Sequence, residues 1–294
     1  MLKIGNKGAR VSELQKSLNK IGYTIEPDGI FGTVTYFVIT DFQAKNGLVP
    51  DGIVGKKTRT KINAAVLAAS MPFDTGFIAF IDTGHGKNTE GKRAYHEGAE
   101  LHNGGWYYEW LENQIVAETT IKELTARGIN CVRTKSSLTV DTGLTKRANS
   151  VKSWLDHGYY GYLHSFHSNA ISSKSSPERL ENTRGVTIWN TKGDNLSDKI
   201  ATFYHETATE VLGAEHTQRQ QDSQDGDPDY EANFTILAQT NLHKYPNFAA
   251  NLEEFDFHTS RAGCEFIISH REERVQIAVK TILHARNLIQ AQMK

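Results

Sequence analysis

Four short segments carry side chains able to do hydrolytic chemistry. Asp82-Thr83-Gly84-His85-Gly86 follows an apolar run and sets one imidazole between glycines. His167-Ser168-Asn169-Ala170 follows a second run, and Glu253-Glu254 follows a third, Phe248-Ala249-Ala250-Asn251-Leu252. Glu109 stands in Tyr107-Tyr108-Glu109-Trp110-Leu111-Glu112-Asn113. Two imidazoles and a carboxylate suit zinc and leave one tetrahedral position for water. Zinc lowers the pKa of such a water toward about 7, and a nearby carboxylate can take its proton. Each group also has a plainer reading. A loop histidine is usually a solvated side chain, and Glu109 could be an acid favoured by the dipole at a helix start. The spacing fits no short zinc motif such as His-Glu-x-x-His.

These groups need a scaffold that brings them to one place. From Gly76 onward, short apolar runs alternate with longer helical patterns. Strands are expected at 77–81, 129–133, 161–166 and 186–189, and helices at 115–127, 144–155, 195–212 and 271–292. Repeated strand-helix units predict a mainly parallel twisted sheet flanked by helices, an α/β fold. In such sheets the site lies beyond the carboxyl ends of the strands. Parallel strands would therefore put His85, His167 and the Glu253-Glu254 pair on one rim. Side chains alternate across a strand, so only one of that pair can face the site, and His164 falls on the face opposite His167. Residues 171–183 and 214–232 are polar and read as loops bordering a groove.

The first 66 residues have a different texture. Asp28-Gly29-Ile30-Phe31-Gly32 returns as Asp51-Gly52-Ile53-Val54-Gly55, and each copy follows a Leu-Gln or Phe-Gln pair, Leu14-Gln15 and Phe42-Gln43. Val11, Leu14, Leu18 and Ile21 recur at helical spacing. Each Asp-Gly reads as a tight turn whose Ile or Phe plugs the core. A short repeat used twice predicts a small all-α domain of three helices. The expected organisation is this domain at 1–66, a linker at 67–75 and the α/β domain at 76–294.

Composition narrows the function. The 33 basic and 34 acidic side chains leave a net charge of −1, which argues against a general nucleic-acid binder. The balance is uneven: residues 1–66 hold ten Lys or Arg against five Asp or Glu, and the rest is acidic. No apolar run is long enough to span a membrane, so no membrane insertion is expected. Two widely separated cysteines, Cys131 and Cys264, make neither a disulfide scaffold nor a zinc ribbon and read as buried thiols.

Two resemblances cover nearly the whole chain. Gly5-Asn6-Lys7-Gly8-x-x-Val11-x-x-Leu14-Gln15, Ile21-Gly22-Tyr23 and the two Asp-Gly-Ile-x-Gly motifs resemble the type 1 peptidoglycan-binding domain. Ile81 to Gly86, Tyr108-Glu109-Trp110 with Asn113, Leu144-x-x-Arg147-Ala148-Asn149, Ser165 to Ala170, and Leu252 to Phe257 followed by Cys264-Glu265-Phe266 resemble the zinc N-acetylmuramoyl-L-alanine amidases of the amidase-3 type. The second resemblance implies that His85, Glu109 and His167 hold Zn2+ and that Glu254 is the catalytic glutamate. Aligning Phe257 with the family's phenylalanine selects Glu254 over Glu253, and the Asn113 register selects Glu109 over Glu112. The sequence departs from the family where Thr83 replaces a usual proline and Asp256 a usual glycine. Peptidoglycan is the implied partner and the amide between N-acetylmuramic acid and L-alanine the implied target. The first residues lack a basic segment followed by an apolar core, so no secretory signal is readable. With two wall-directed domains, this suggests synthesis in the cytoplasm and action on the bacterial wall, as in a phage endolysin. An autolysin with the same chemistry, or a catalytically silent wall-binding protein, is the alternative.

Overall fold

Strands buried on both faces explain how the larger part of the chain stacks its layers. In a computed structural model of the chain, all residues are described except 71–75, 100, 103, 136, 138, 192, 194, 219–228, 233 and 239–244. Contacts divide the chain into an N-terminal helical unit and a larger α/β unit.

The N-terminal unit holds α1 (Ala9–Lys20), α2 (Thr33–Lys45) and α3 (Lys56–Ser70). Val11, Leu14 and Leu18, on one face of α1, meet Phe31, Ile39, Phe42, Val54 and Ile62 in a single core. The helix α3 continues through Ser70, so the first part of the expected 67–75 linker is helical, and 71–75 lie outside the described residues. The repeated Gln is what ties each turn to its helix. Gln15 Nε2 donates to Asp28 Oδ1 (2.8 Å), the Ile30 carbonyl (3.1 Å) and Thr35 Oγ1 (3.1 Å), while its Oε1 accepts from Gly29 N–H (2.9 Å). Gln43 repeats the pattern on Asp51, Ile53, Thr58 and Gly52. In the first turn the core plug is Phe31; Ile30, which the repeat suggested could share that role, is 44% exposed. The backbone N–H and carbonyl of Ile30 are both used in the turn, and its side chain points to the surface.

The larger unit runs β1 (Phe77–Thr83), β2 (Arg93–Tyr95), β3 (Trp106–Tyr108), α4 (Glu109–Ala126), β4 (Asn130–Arg133), α5 (Leu144–Leu155), β5 (Tyr160–Asn169), α6 (Pro177–Asn182), β6 (Val186–Asn190), α7 (Asn195–Leu212), β7 (Tyr230–Glu231), α8 (Thr235–Ala238), β8 (Phe248–Phe257), α9 (Arg261–Ser269) and α10 (Arg271–Gln292). The main sheet has the order β4-β1-β5-β8-β6-β7, and β2 pairs with β3 in a separate hairpin. Strands β4, β1, β5 and β8 run parallel, whereas β6 is antiparallel to β8. In β1, Phe77, Ala79 and Ile81 pack with Val116 and Leu124 of α4 and Ile282 of α10. Ile78 and Phe80 point the other way, onto Ala148 and Val151 of α5. Both faces of the sheet are thus covered, as a largely parallel sheet requires.

Three differences from the sequence reading bear on the site. Strand β8 does not stop at Leu252 but continues through both glutamates to Phe257, so Glu254 lies inside a strand. Helix α4 starts at Glu109, within the 106–127 helical region at whose start the sequence sets that residue but ahead of the clear 115–127 pattern, and Glu109, Glu112 and Asn113 are buried in its first turns. The 171–183 segment contains α6, a short helix whose first turn is capped by the Ser176 hydroxyl accepting from Arg179 N–H. Within 214–232, residues 219–228 lie outside the described set. The two cysteines form no disulfide; Cys264 is buried and Cys131 half-buried. Among the described residues no helix is long and apolar enough to cross a membrane.

Candidate functional site

The carboxyl ends of β1 and β5 lie side by side, with Thr83 opposite Phe166 and the Gly84 N–H donating to the Phe166 carbonyl at 2.9 Å. A buried polar frame fixes the β1 end. Asp82 accepts from Ser165 Oγ (2.6 Å), from the Thr134 hydroxyl and from Arg147, which also donates to the Thr83 carbonyl at 2.8 Å. Burial opposes ionisation of Asp82, but Arg147 and the two hydroxyls outweigh it and hold the carboxyl below its ordinary range. Asp82 is therefore spent on the frame and does not reach His85 as an acceptor.

Beyond β1 the chain turns sharply. His85 has φ 59°, a left-handed conformation that costs a non-glycine residue free energy and persists where surroundings enforce it. Lys135 donates to the His85 carbonyl at 2.5 Å, which is part of that enforcement. The missing Cβ of Gly84 makes room for His167 rather than for its neighbour His85: an added Cβ would lie 2.3 Å from Cε1 of the His167 ring. The two imidazoles meet edge to face, with centroids 5.0 Å apart.

Glu109 enters from the first residue of α4 and is fully buried. Its Oε1 lies 3.5 Å from His85 Nε2 and 3.2 Å from His167 Nδ1, and it accepts from Ser168 N–H at 3.2 Å. One donor atom from each of His85, Glu109 and His167 falls within 4.8 Å of the others. Two atoms of this cluster, His85 Nε2 and Glu109 Oε2, are buried without a hydrogen-bond partner. Unpaired buried atoms occur elsewhere in the larger unit too, as at Thr187 Oγ1 and Arg274 Nη1; here they belong to a single cluster of metal-donor groups. Two imidazole nitrogens and a carboxylate oxygen at this spacing fit a divalent cation of the zinc type.

The charges follow the same logic. Burial pushes His85 down to about 4, against the pull of Glu109, which keeps its imidazole neutral. Burial also opposes ionisation of Glu109, but the His167 hydrogen bond and the neighbouring histidines hold it far below the ordinary carboxylate range. Burial disfavours charge on His167 too, yet its bond to Glu109 and the surrounding carboxylates raise it.

The adjacent glutamates of β8 have opposite fates. Glu254 sits across from His167 in the β5–β8 register, its Oε2 has no partner, and burial raises its carboxyl to about 7. Glu253 points to the opposite face, where it accepts from Arg274 Nε (2.7 Å) and Tyr204 OH (3.0 Å) and lies 3.2 Å from His164 Nε2. Arg274 in turn donates to the His167 carbonyl at 3.0 Å and to Asn113 Oδ1 at 3.2 Å. Glu112 is equally occupied, accepting from Arg271 (2.7 Å) and bonded to His102 (2.8 Å).

Three features were not singled out in the sequence as parts of the site. His258 stacks on Tyr107 with centroids 5.4 Å apart, bonds Ser168 through Nδ1, and lies 3.9 Å from Glu109 Oε2. Arg274 reads as one more charge on an amphipathic helix. Asp256, in the sequence only a departure from the resembled pattern, has φ 65°, and its carboxylate accepts from Arg184 Nε (2.6 Å), Gly185 N–H (3.1 Å) and its neighbour Phe257 N–H (2.8 Å). The Asp tolerates the turn by bonding the backbone around it.

A donor cluster for a divalent cation, on the carboxyl rim of a largely parallel sheet with a free carboxylate across from it, defines the class: an α/β protein with a metal-hydrolase type of site. The chain belongs to the N-acetylmuramoyl-L-alanine amidase family, whose model matches residues 79–277. Residues 7–62 match the peptidoglycan binding domain family. A spore cortex-lytic enzyme of Bacillus cereus is 32% identical over 120 residues, covering 40% of this chain and 45% of that protein, so the match spans less than half of either. Among solved structures, an N-acetylmuramoyl-L-alanine amidase from Clostridium difficile 630 has a TM-score of 0.51 and 22% identity over 71% of this chain and 96% of that one. The N-acetylmuramyl-L-alanine amidase Ami1 from Mycobacterium smegmatis has a TM-score of 0.54 and 14% identity over 72% and 97%. At these identities the likeness is one of fold.

Proposed function

We propose that this protein hydrolyses the amide between the lactyl group of N-acetylmuramic acid and L-alanine in bacterial peptidoglycan, with residues 1–66 binding the wall and 76–294 cutting it. The observation that carries this reading is the cluster of His85, Glu109 and His167 donor atoms within 4.8 Å of one another, with Glu254 across from His167 in the sheet and its Oε2 unpaired. His85, Glu109 and His167 would hold zinc. Zinc held there supplies a Lewis acid for the amide carbonyl and makes water a nucleophile near neutral pH.

The chain's own residues do the rest. Glu254 is the base: it takes a proton from the attacking water at its free Oε2 and later returns it to the leaving nitrogen. A carboxyl raised to about 7 is suited to both tasks, since it can hold a proton and release it near neutrality. Ser168 N–H and His258 steady Glu109, and Arg274 steadies the His167 backbone. The excess of basic residues in 1–66 suits anionic wall polymers. Phage lysis and bacterial autolysis share this reaction; the endolysin setting is the one we favour.

Mass spectrometry of digested peptidoglycan tests the reaction. The expected products are peptides with a new amino end on L-alanine and glycans with a free lactyl carboxyl. New reducing ends, or cuts inside the stem peptide, would overturn the assignment. No cleavage at all would leave a wall-binding protein.

A further inference from the structure

A groove of about 880 Å³ opens beside the cluster, lined among others by Lys87, Glu90, Lys92, Arg93, Tyr108 and Trp110. Three cations face one acid in that set. The Glu109 N–H donates to the Lys92 carbonyl at 3.2 Å, which fixes this end of the groove against the first turn of α4. The Arg93 guanidinium already lies over the Trp106 ring, 4.9 Å from its centroid. Lys92 is different. It is half-buried, and its ammonium has no ion-pair partner among the described residues. Its charge is nevertheless felt at His85, Glu254 and His258. An ammonium on the groove wall without a counter-ion keeps its charge available to an anionic ligand.

We infer that Lys92 is a specificity-determining residue whose ammonium holds a carboxylate on the peptide branch of the substrate, one or two residues beyond the amide that is cut. This inference rests on the proposed amidase reading and deepens it. The position argues for the peptide branch. Lys92 lines the groove at the start of α4, and its charge acts on both His85 and Glu254, so an anion it holds lies close to the proposed reacting amide. A lysine presents a compact point charge, which suits a carboxylate approaching from a flexible chain. Tyr108 and Trp110, in the same lining, offer ring faces for the aliphatic part of such a chain.

Two synthetic muramyl dipeptides test it, differing only in whether the second residue carries a free carboxylate or its carboxamide. Their binding to zinc-loaded Glu254→Gln protein is measured by calorimetry, so that neither is consumed. The acid is expected to bind on the order of tenfold more tightly than the amide. That preference should vanish when Lys92→Met is added, persist with Lys92→Arg, and shrink as salt is raised. Equal affinities for the two compounds, or a preference that survives Lys92→Met, would overturn the inference. Turnover by the unsubstituted protein is read separately. A preference for the acid without cleavage of either compound supports the carboxylate site and sinks the amidase reading instead.

Discussion

The two units treat buried polar groups in opposite ways. In the N-terminal unit, Gln15 and Gln43 are buried amides with both ends used, donating and accepting on the turn each one grips. In the larger unit, His85 Nε2, Glu109 Oε2 and Glu254 Oε2 are left without partners. The first arrangement stabilises a fold; the second gives up stability to keep atoms available for a ligand. The same contrast recurs between neighbours in β8, where Glu253 is fully engaged and Glu254 is free. Within the proposed site, the unpaired oxygens of Glu109 and Glu254 set them apart from the fully bonded Glu253 and Glu112.

Substitutions can break that contrast. The largest effect is expected from Glu254→Gln, which should lower kcat by about 10²–10⁴-fold when release of amino ends is followed. Glu253→Gln should act on stability instead. It leaves Arg274 buried without its counter-ion, at a cost of about 3–5 kcal/mol in denaturant unfolding. Equal effects of the two changes on turnover, in protein that remains folded, would erase the distinction. Gln43→Ala should cost about 1–3 kcal/mol, because the Gly52 N–H and the Asp51 carboxylate lose a shared partner. Its turnover on small soluble muramyl peptides should not change.

The smallest effect sharpens the contrast by its sign. In metal-free protein the folded Glu254 carboxyl lies near 7, above its unfolded value, so folding favours the protonated form. The stability it contributes is complete at pH below the unfolded value and is lost as pH rises through about 7. Glu254→Gln should therefore raise the Tm of metal-free protein at pH 8 by about 2–4 °C, and by less at pH 5. A lower Tm at pH 8 would mean that Glu254, too, is structurally engaged.

Much of this was legible in the residues, for physical reasons. Helices α5, α7 and α10 keep the periodicity expected of them to the residue. Strand β1 begins as a continuous apolar run because both of its faces are covered, whereas β5 mixes Tyr162, Leu163 and Phe166 with polar residues. The site was harder to read. Charged residues usually end a strand, so Glu253, Glu254 and Asp256 hid the second half of β8. Arg274 and Tyr204, the partners of Glu253, lie 21 and 49 residues away in sequence, and Arg184, the partner of Asp256, 72. The start of α4 at Glu109 was legible, but the burial of Glu112 was not, since it pairs with Arg271, 159 residues on. The β2–β3 hairpin is only three residues deep on each side and leaves no periodic trace. His258 carries no motif at all, and only the fold brings it to Glu109.

The zinc content of the purified chain, measured after chelation and re-addition of the metal, tests the central claim most directly. The account predicts one zinc ion per chain for the parent and for Glu254→Gln, and none retained by His167→Ala. A His167→Ala protein that holds zinc as tightly as the parent, or a Glu254→Gln protein that loses it, would contradict the division between the donors and the base.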